Sequence, residues 1–255
     1  YCSGIDNSDW MMFGATEAAA DHDGGAEPRM VVVRAADLEI IDTWHVSGLA
    51  GTGSKDAACE NLFVPEHMTL DPRDANGGPT PGAEAAPEAV YEIPVLAFIP
   101  HLIAGTLMGI ARGAYEDFVD RLKTQVSVYN NSRIAVHTTV QIKIAEAGVL
   151  IDAARILVRE NWMEAHQIAE TGARPTIDDR ARWRRDATYA SNNCLRAVDL
   201  INGVSGGNAN YLGNELQRRF RDIHAAAGQI HISWDINGPE FGRVAVGLAP
   251  NNSNL

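Results

Sequence analysis

The order of apolar and polar positions divides the chain in two. Residues 1 to 73 carry short runs of the β-favouring kind. "RMVVVRAADLEIIDTW" holds two of them, 30–33 and 38–41, parted by an Ala-Ala-Asp turn. "GLAGTGSKDAACENLFVPEH" continues with a Gly-rich turn and a short strand ending at Pro65. Residues 74–94, "DANGGPTPGAEAAPEAVYEIP", are rich in Pro, Gly and Ala, which predicts a long loop or linker. From Val95 the period becomes that of helices, with Leu96, Ile99, Ile103, Leu107, Ile110, Ala114 and Phe118 on one face. A second helix is predicted over 138–169, with Val140, Ile144, Leu150, Ala154 and Leu157 on one side. A third runs over 177–201 and stops at "NGVSGG", where paired glycines end it. A fourth carries "NELQRRFRDIHAAAG", and a shorter one follows. The pattern predicts an α+β chain: a small β-domain over 1–73, a linker over 74–94 and an antiparallel helical bundle over 95–255.

Composition narrows the picture. Hydrophobic residues at 45% and charged residues at 21% describe an ordinary globular chain. A net charge of -12 argues against a nucleic-acid partner, because phosphate binding needs a concentrated basic surface. The one dense basic run, Arg180, Arg182, Arg184 and Arg185 around Trp183, reads as a solvated or subunit-facing helix surface. Cys2, Cys59 and Cys194 form no CxxC pair and fit the reduced thiols of a cytoplasmic protein. No stretch approaches the roughly 18 continuous apolar residues of a membrane span, and no signal peptide is visible. The chain opens at Tyr1 on what reads as the inside of a strand, so further sequence is expected upstream.

Local motifs exclude more than they assign. "GTGSKD", residues 51–56, lacks the GxxxxGK[ST] pattern of a phosphate loop and reads as a turn. HExxH and Glu-x-x-His pairs are absent, and Glu164 and His166 diverge on a helix, so no metal is expected. GxGxxG is absent too. What remains is "RRFRDIHAAAGQIHISWD", residues 218–235, where His224 and His231 are either acid–base groups or polar residues of a packed helix.

Three longer segments, "YCSGIDNSDWMMFGA", "IDTWHVSGLAGTGSKDAACENLFVPEH" and "LQRRFRDIHAA", together resemble the acyl-CoA dehydrogenase superfamily and, within it, the two-component flavin monooxygenases that hydroxylate phenols and other aromatic compounds. "YCSGIDNSDWMMFGA" is similar to that group's motif of aromatic, Ser, Ser-Gly, then Asp and Trp. "IDTWHVSGLAGTGSKDAACENLFVPEH" matches its DTW…GLxGTGSxD…VPE signature, and "LQRRFRDIHAA" resembles its LQRxxRDxxA helix. The resemblance covers the whole chain and implies an N-terminal helical domain that this sequence does not contain.

The resemblance implies reduced FMN or FAD taken from a separate flavin reductase, reaction with O₂, and oxygen transfer to an activated aromatic substrate. The protein's part would be to exclude water and to place a hydrogen-bond donor near flavin N5. Ser3 stands at that hydroxyl's position. Gly206 and Asn208 of "GVSGGNANY" stand where the superfamily's Gly-Gly turn approaches flavin across a subunit interface, and Arg133 is a further candidate for its phosphate. The group's proton-transfer histidine usually follows the Asp of RDxxA by seven residues, but counting from Asp222 gives Gln229. His231 is then favoured over His224, provided the helix ends near Gly228. Ala50 is a second departure, where relatives often carry Arg. A homotetramer with the bundles at its centre is also implied, with Trp183 on a contact. Two rivals remain: an acyl-CoA dehydrogenase-like FAD oxidoreductase, whose Tyr-Glu-Gly-Thr stretch "NGPEFGRVAVGL" with Glu240 does not match, and a catalytically silent assembly subunit.

Overall fold

A computed structural model describes residues 1–17, 27–76, 81–86, 88–252 and 255, so residues 77–80 and 87 of the predicted linker lie outside the described residues. The chain divides into two compact units, Tyr1–Pro87 and Glu88–Leu255.

In the first unit, β1 (Trp10–Glu17) and β2 (Glu27–Arg34) pair antiparallel from Trp10↔Arg34 to Glu17↔Glu27. Met11 and Phe13 are half-buried while Trp10 and Met12 are exposed, the alternation a pleated strand imposes. The predicted run 30–33 is the centre of β2, and 38–41 supplies β3 (Glu39–Ile41). The two belong to different sheets. A 3-10 turn at Ala35–Asp37, braced by an Arg34–Asp37 ion pair at 3.0 Å, separates them. β3 pairs with β4 (Asp56–Ala58), and β5 (Thr69–Leu70) pairs with β2. The strand expected to end at Pro65 is absent; strand structure resumes directly after the Gly-rich turn, as β4. Pro65 instead leads into a 3-10 turn, Glu66–Met68, where its fixed φ of -68° is at home. The predicted linker holds a short helix, α1 (Pro81–Ala85), and a 3-10 turn, Ala89–Glu92.

The second unit contains α2 (Val95–Leu122), α3 (Thr138–Glu170), α4 (Ile177–Gly203), α5 (Glu215–Ala227) and α6 (Trp234–Ala245). α4 is the central helix and packs against the other four. Arg182 meets Glu164 while Arg196 meets Glu146, so α3 and α4 run antiparallel. The pairs His101 with Asn161 and Tyr115 with Gly148 show the same for α2 and α3. α4 begins with a capping box, in which Thr176 and Asp179 satisfy each other's backbone amides. Its buried face is built largely from Ala181, Ala187, Thr188, Ala190, Ser191 and Ala197. Small side chains let neighbouring helices approach closely, and the two hydroxyls donate to carbonyls one turn back, at Arg184 and Ala187.

Helix positions follow the sequence pattern, but their inner faces are rotated from it. On α2, Leu107, Ala114 and Phe118 are buried as predicted, whereas Ile99, Ile103 and Ile110 are only half covered. Ala97, His101, Ala104 and Ala111 complete the core line instead. α2 is, by length and composition, apolar enough to cross a membrane, contrary to the sequence expectation; that inner line is packed within the bundle. The arginine run is no solvated surface either. Arg184 is buried, Arg182 holds Glu164 and Asp179, and Arg185 pairs with Asp186 with its guanidinium 4.1 Å from the Phe241 ring centroid. Trp183, expected at a subunit contact, is 0% exposed. Its Nε1 donates to Glu164 at 2.8 Å and its ring lies 5.0 Å from that of Phe98.

Candidate functional site

Ser3 sits in a turn, not a strand. Gly4 has a φ of 79°, which a residue with a Cβ rarely adopts, and a 3-10 turn follows at Ile5–Asn7. Cys2 N donates to Lys55 O at 2.9 Å and Gly4 N to Thr52 O at 2.8 Å. "YCSG" and "GTGSK" are therefore one piece of structure. Between these backbone bonds runs a line of hydroxyls. Ser3 Oγ is 2.8 Å from Ser54 Oγ, which is 2.7 Å from Thr52 Oγ1. Thr52 Oγ1 donates to Leu49 O at 2.9 Å, and Trp44 Nε1 donates to the same carbonyl at 3.1 Å. Ser54 is buried and Ser3 is exposed, so the line runs from the interior to the surface. Ala50 stands exposed at the head of the Ala50–Thr52 turn.

The remaining candidates lie in the second unit. Gly206, with a φ of 69°, opens the 3-10 turn Gly207–Asn210. A Cβ on Gly206 or Gly207 would meet nothing within 4 Å, so the backbone there faces open space. Asn208 is exposed, its carbonyl accepts from Asn214 Nδ2 at 2.8 Å, and it borders an open surface depression with Gly207, Asn210 and Tyr211. Arg133 is exposed and donates to Lys123 O at 2.6 Å, closing the C-terminal end of α2.

The two histidines are in unlike settings. His224 is exposed on α5, with Nδ1 2.7 Å from Phe220 O and Nε2 3.2 Å from an Asp199 oxygen. Both nitrogens lie against oxygens of the fold, so both edges of the ring are already engaged. α5 does end at Ala227 with Gly228 as its cap, which frees residue 231 from the helical register. Gln229 Oε1 then accepts from His231 N at 2.5 Å and opens the turn Ile230–Ile232. The structure thus brings Gln229 and His231 together.

His231 is half-buried, and its ring makes no hydrogen bond among the described residues. Burial, then the charge of Arg184, lowers its affinity for a proton below that of an ordinary imidazole. It is accordingly neutral at neutral pH and able to accept a proton. Its carbonyl is held by Asn237 Nδ2 at 2.7 Å, and Asn237 Oδ1 accepts from Arg184 Nε at 3.2 Å. Arg184 also donates to Leu96 O at 2.8 Å. A second buried imidazole, His101, lies 3.2 Å from Asn161 Nδ2 and stacks on Phe98 at 4.5 Å. Burial, then Arg184, pulls its pKa to about 3. Sequence reasoning missed Thr52, Ser54, Arg184, Asn237 and His101. The closely spaced hydroxyls of "GTGS" were a signal for the first two; the pairing of Arg184 with Asn237, 53 residues apart, left none.

Comparison with known proteins places this geometry. Residues 101–234 match the family described as acyl-CoA dehydrogenase, C-terminal domain. The chain is 34% identical to the FADH(2)-dependent resorcinol hydroxylase, oxygenase component, of Rhizobium sp. (strain MTP-10005), over 98% of this chain and 63% of that protein. It is 27% identical to the p-hydroxyphenylacetate 3-hydroxylase, oxygenase component, of Acinetobacter baumannii, over 98% and 59%. The crystal structure of the 3-HSA hydroxylase from Rhodococcus sp. RHA1 superposes with a TM-score of 0.91 at 28% identity, covering 99% of this chain and 65% of that one. The chain spans less than two thirds of the length of each of these relatives.

Proposed function

The chain belongs to the acyl-CoA dehydrogenase family by its C-terminal domain, and on that premise we propose that it is the oxygenase part of a two-component flavin-dependent monooxygenase. It hydroxylates a small aromatic or heteroaromatic compound, using O₂ and reduced FMN or FAD delivered by a separate reductase. The observation that carries the reading is similarity along 98% of the chain to relatives named as aromatic hydroxylases.

The residues present fit a flavin. Ser3 offers an exposed hydroxyl backed by a buried one, as a polar edge of the ring system requires. Gly206 and Asn208 offer open backbone beside a surface depression, and Arg133 offers an exposed cation for a phosphate. When bound, the reduced flavin supplies the electrons that activate O₂. In the first unit Ser3 would hold the N5 edge of a flavin; in the second unit, taken by itself, Gly206, Asn208 and Arg133 would hold a phosphate-bearing chain and His231 would take the proton of a substrate hydroxyl. Gln229, bonded to the His231 amide, fixes the turn that presents the imidazole. His224 serves as a surface contact to Asp199.

The dehydrogenase rival needs a free carboxylate base. Glu240 is buried and accepts from the amides of Asn251 and Asn252 at 2.8 and 3.3 Å, tying down the C-terminal segment. It is committed to structure. Assembly as a homotetramer is part of the proposal, supported by an exposed stripe on α3 in which Ile142, Val149, Ile156 and Met163 recur every seven residues. Residence in the cytoplasm is supported by three unpaired cysteines.

The test uses the full-length protein with a flavin reductase, a panel of phenols and isotopically labelled O₂. Label in a hydroxylated product supports the reading. Oxygen consumption that ends wholly in hydrogen peroxide, with every phenol unchanged, sinks it.

A further inference from the structure

The hydroxyl line in the first unit has only one self-consistent direction. Leu49 O can only accept, so the single hydrogen of Thr52 Oγ1 is spent on it, at 2.9 Å. Ser54 Oγ lies 2.7 Å from Thr52 Oγ1, and two hydroxyl oxygens at that distance repel unless a hydrogen lies between them. Thr52 has none left, so Ser54 donates. Ser54 is 4% exposed, which leaves water little access to reverse the arrangement. The same reasoning applies one step further out. Ser3 Oγ is 2.8 Å from Ser54 Oγ, whose hydrogen is already committed, so Ser3 donates inward. What Ser3 turns outward is lone pairs.

We propose that Leu49 O, Thr52 and Ser54 form an orienting relay that fixes Ser3 as a hydrogen-bond acceptor, and that this polarity selects the reduced flavin over the oxidised one. The second half rests on the reading that Ser3 meets flavin N5. The polarity is opposite to the donor that the family resemblance implies for this serine. It suits the reduced cofactor, which carries a hydrogen on N5, and opposes the oxidised one, whose N5 presents a lone pair. Thr52 and Ser54 touch neither substrate nor cofactor; they are positioning residues. No proton is transferred along the line, which only orients one.

Thr52→Val keeps the shape of the side chain and removes the acceptor of Ser54. Ser54 is then free to donate to Ser3, and Ser3 to donate outward. Binding of oxidised FMN and of dithionite-reduced FMN to the full-length protein is measured anaerobically for wild type, Thr52→Val, Thr52→Ser and Ser54→Ala. The preference for reduced FMN is expected to fall about tenfold in Thr52→Val, the scale of one hydrogen bond gained or lost, and to fall in Ser54→Ala. Thr52→Ser, which keeps the hydroxyl, is expected to retain it. Parallel loss of both affinities with an unchanged ratio would mean that these residues only support the fold, and the selection claim is overturned. A wild type that binds neither form overturns the flavin reading and the selection with it. The relay itself is decided without ligand. A neutron structure of the wild type should place a deuterium on Ser3 pointing at Ser54, and one on Ser54 pointing at Ser3 instead overturns the relay.

Discussion

His231 and His224 share a chemistry and differ in what surrounds them. His231→Asn is expected to lower kcat by about two to four orders of magnitude, the usual range for a lost general base. His224→Asn is expected to leave kcat within about twofold, since it removes only an exposed contact to Asp199. Steady-state kinetics with the reductase compares the two. The base must be unprotonated to act, and burial lowers its proton affinity, so the acid limb of kcat/KM should fall below the ordinary imidazole value of about 6.5. A pH–rate profile reads that limb directly. His101 affects stability instead. Its folded pKa, about 3, lies below its unfolded one, so the unfolded chain binds an extra proton as pH drops from about 6.5. Stability is fully present above that range and falls by up to about 1.4 kcal/mol per pH unit towards the folded pKa. Urea unfolding at a series of pH values should show a shallower acid slope in His101→Gln. The histidine ambiguity was legible in the sequence, as was the need for a break at Gly228. The bonds that decide it were not, because Asp199 and Arg184 lie on another helix and no local spacing encodes which side chains meet across a bundle.

At the scale of elements, periodicity located the helices well: the second was expected over 138–169 and is Thr138–Glu170. The choice of inner face went astray for a physical reason. Alanine carries little hydrophobic signal, yet Ala97, Ala104 and Ala111 are fully buried because small residues let helices pack closely. Isoleucines on the flank of α2 draw attention while being only half covered. Trp183 was hidden by its arginine neighbours, although a helix turns about 100° per residue and adjacent positions face different ways. Trp183→Ala should cost about 3–5 kcal/mol in denaturant unfolding, as expected for emptying a packed aromatic site. The α3 stripe gives an opposite kind of prediction. Ile156→Glu touches an exposed position, so the protomer should stay folded by circular dichroism while sedimentation reports a smaller assembly than wild type. Unchanged sedimentation would remove the stripe from the proposed subunit contact.

At the scale of the whole molecule, the two units are unequally provided with core. Among the described residues of Tyr1–Pro87, the buried apolar side chains are those of Cys2, Ile5 and Val33, whereas the bundle buries a continuous series along α2, α3 and α4. Hydrogen exchange on the full-length protein should find β1 and β2 amides exchanging faster than those at the centre of α4. The α3–α4 pair carries a further consequence, for the order in which the chain assembles. Its helices are neighbours in sequence as well as in space, joined across residues 171–176, with Gly172 at a φ of 71° and the Thr176–Asp179 box restarting the second helix. Closing so short a loop costs little chain entropy. By contrast, docking α6 through Asn237 on Arg184 must span 53 residues. Helical hairpins of low contact order form early, so substitutions between α3 and α4 should slow refolding, while substitutions at Asn237 should chiefly speed unfolding. The arginine bridges to Glu164 and Glu146 would then do their work before a site exists, setting the register onto which α6 and the His231 turn later settle.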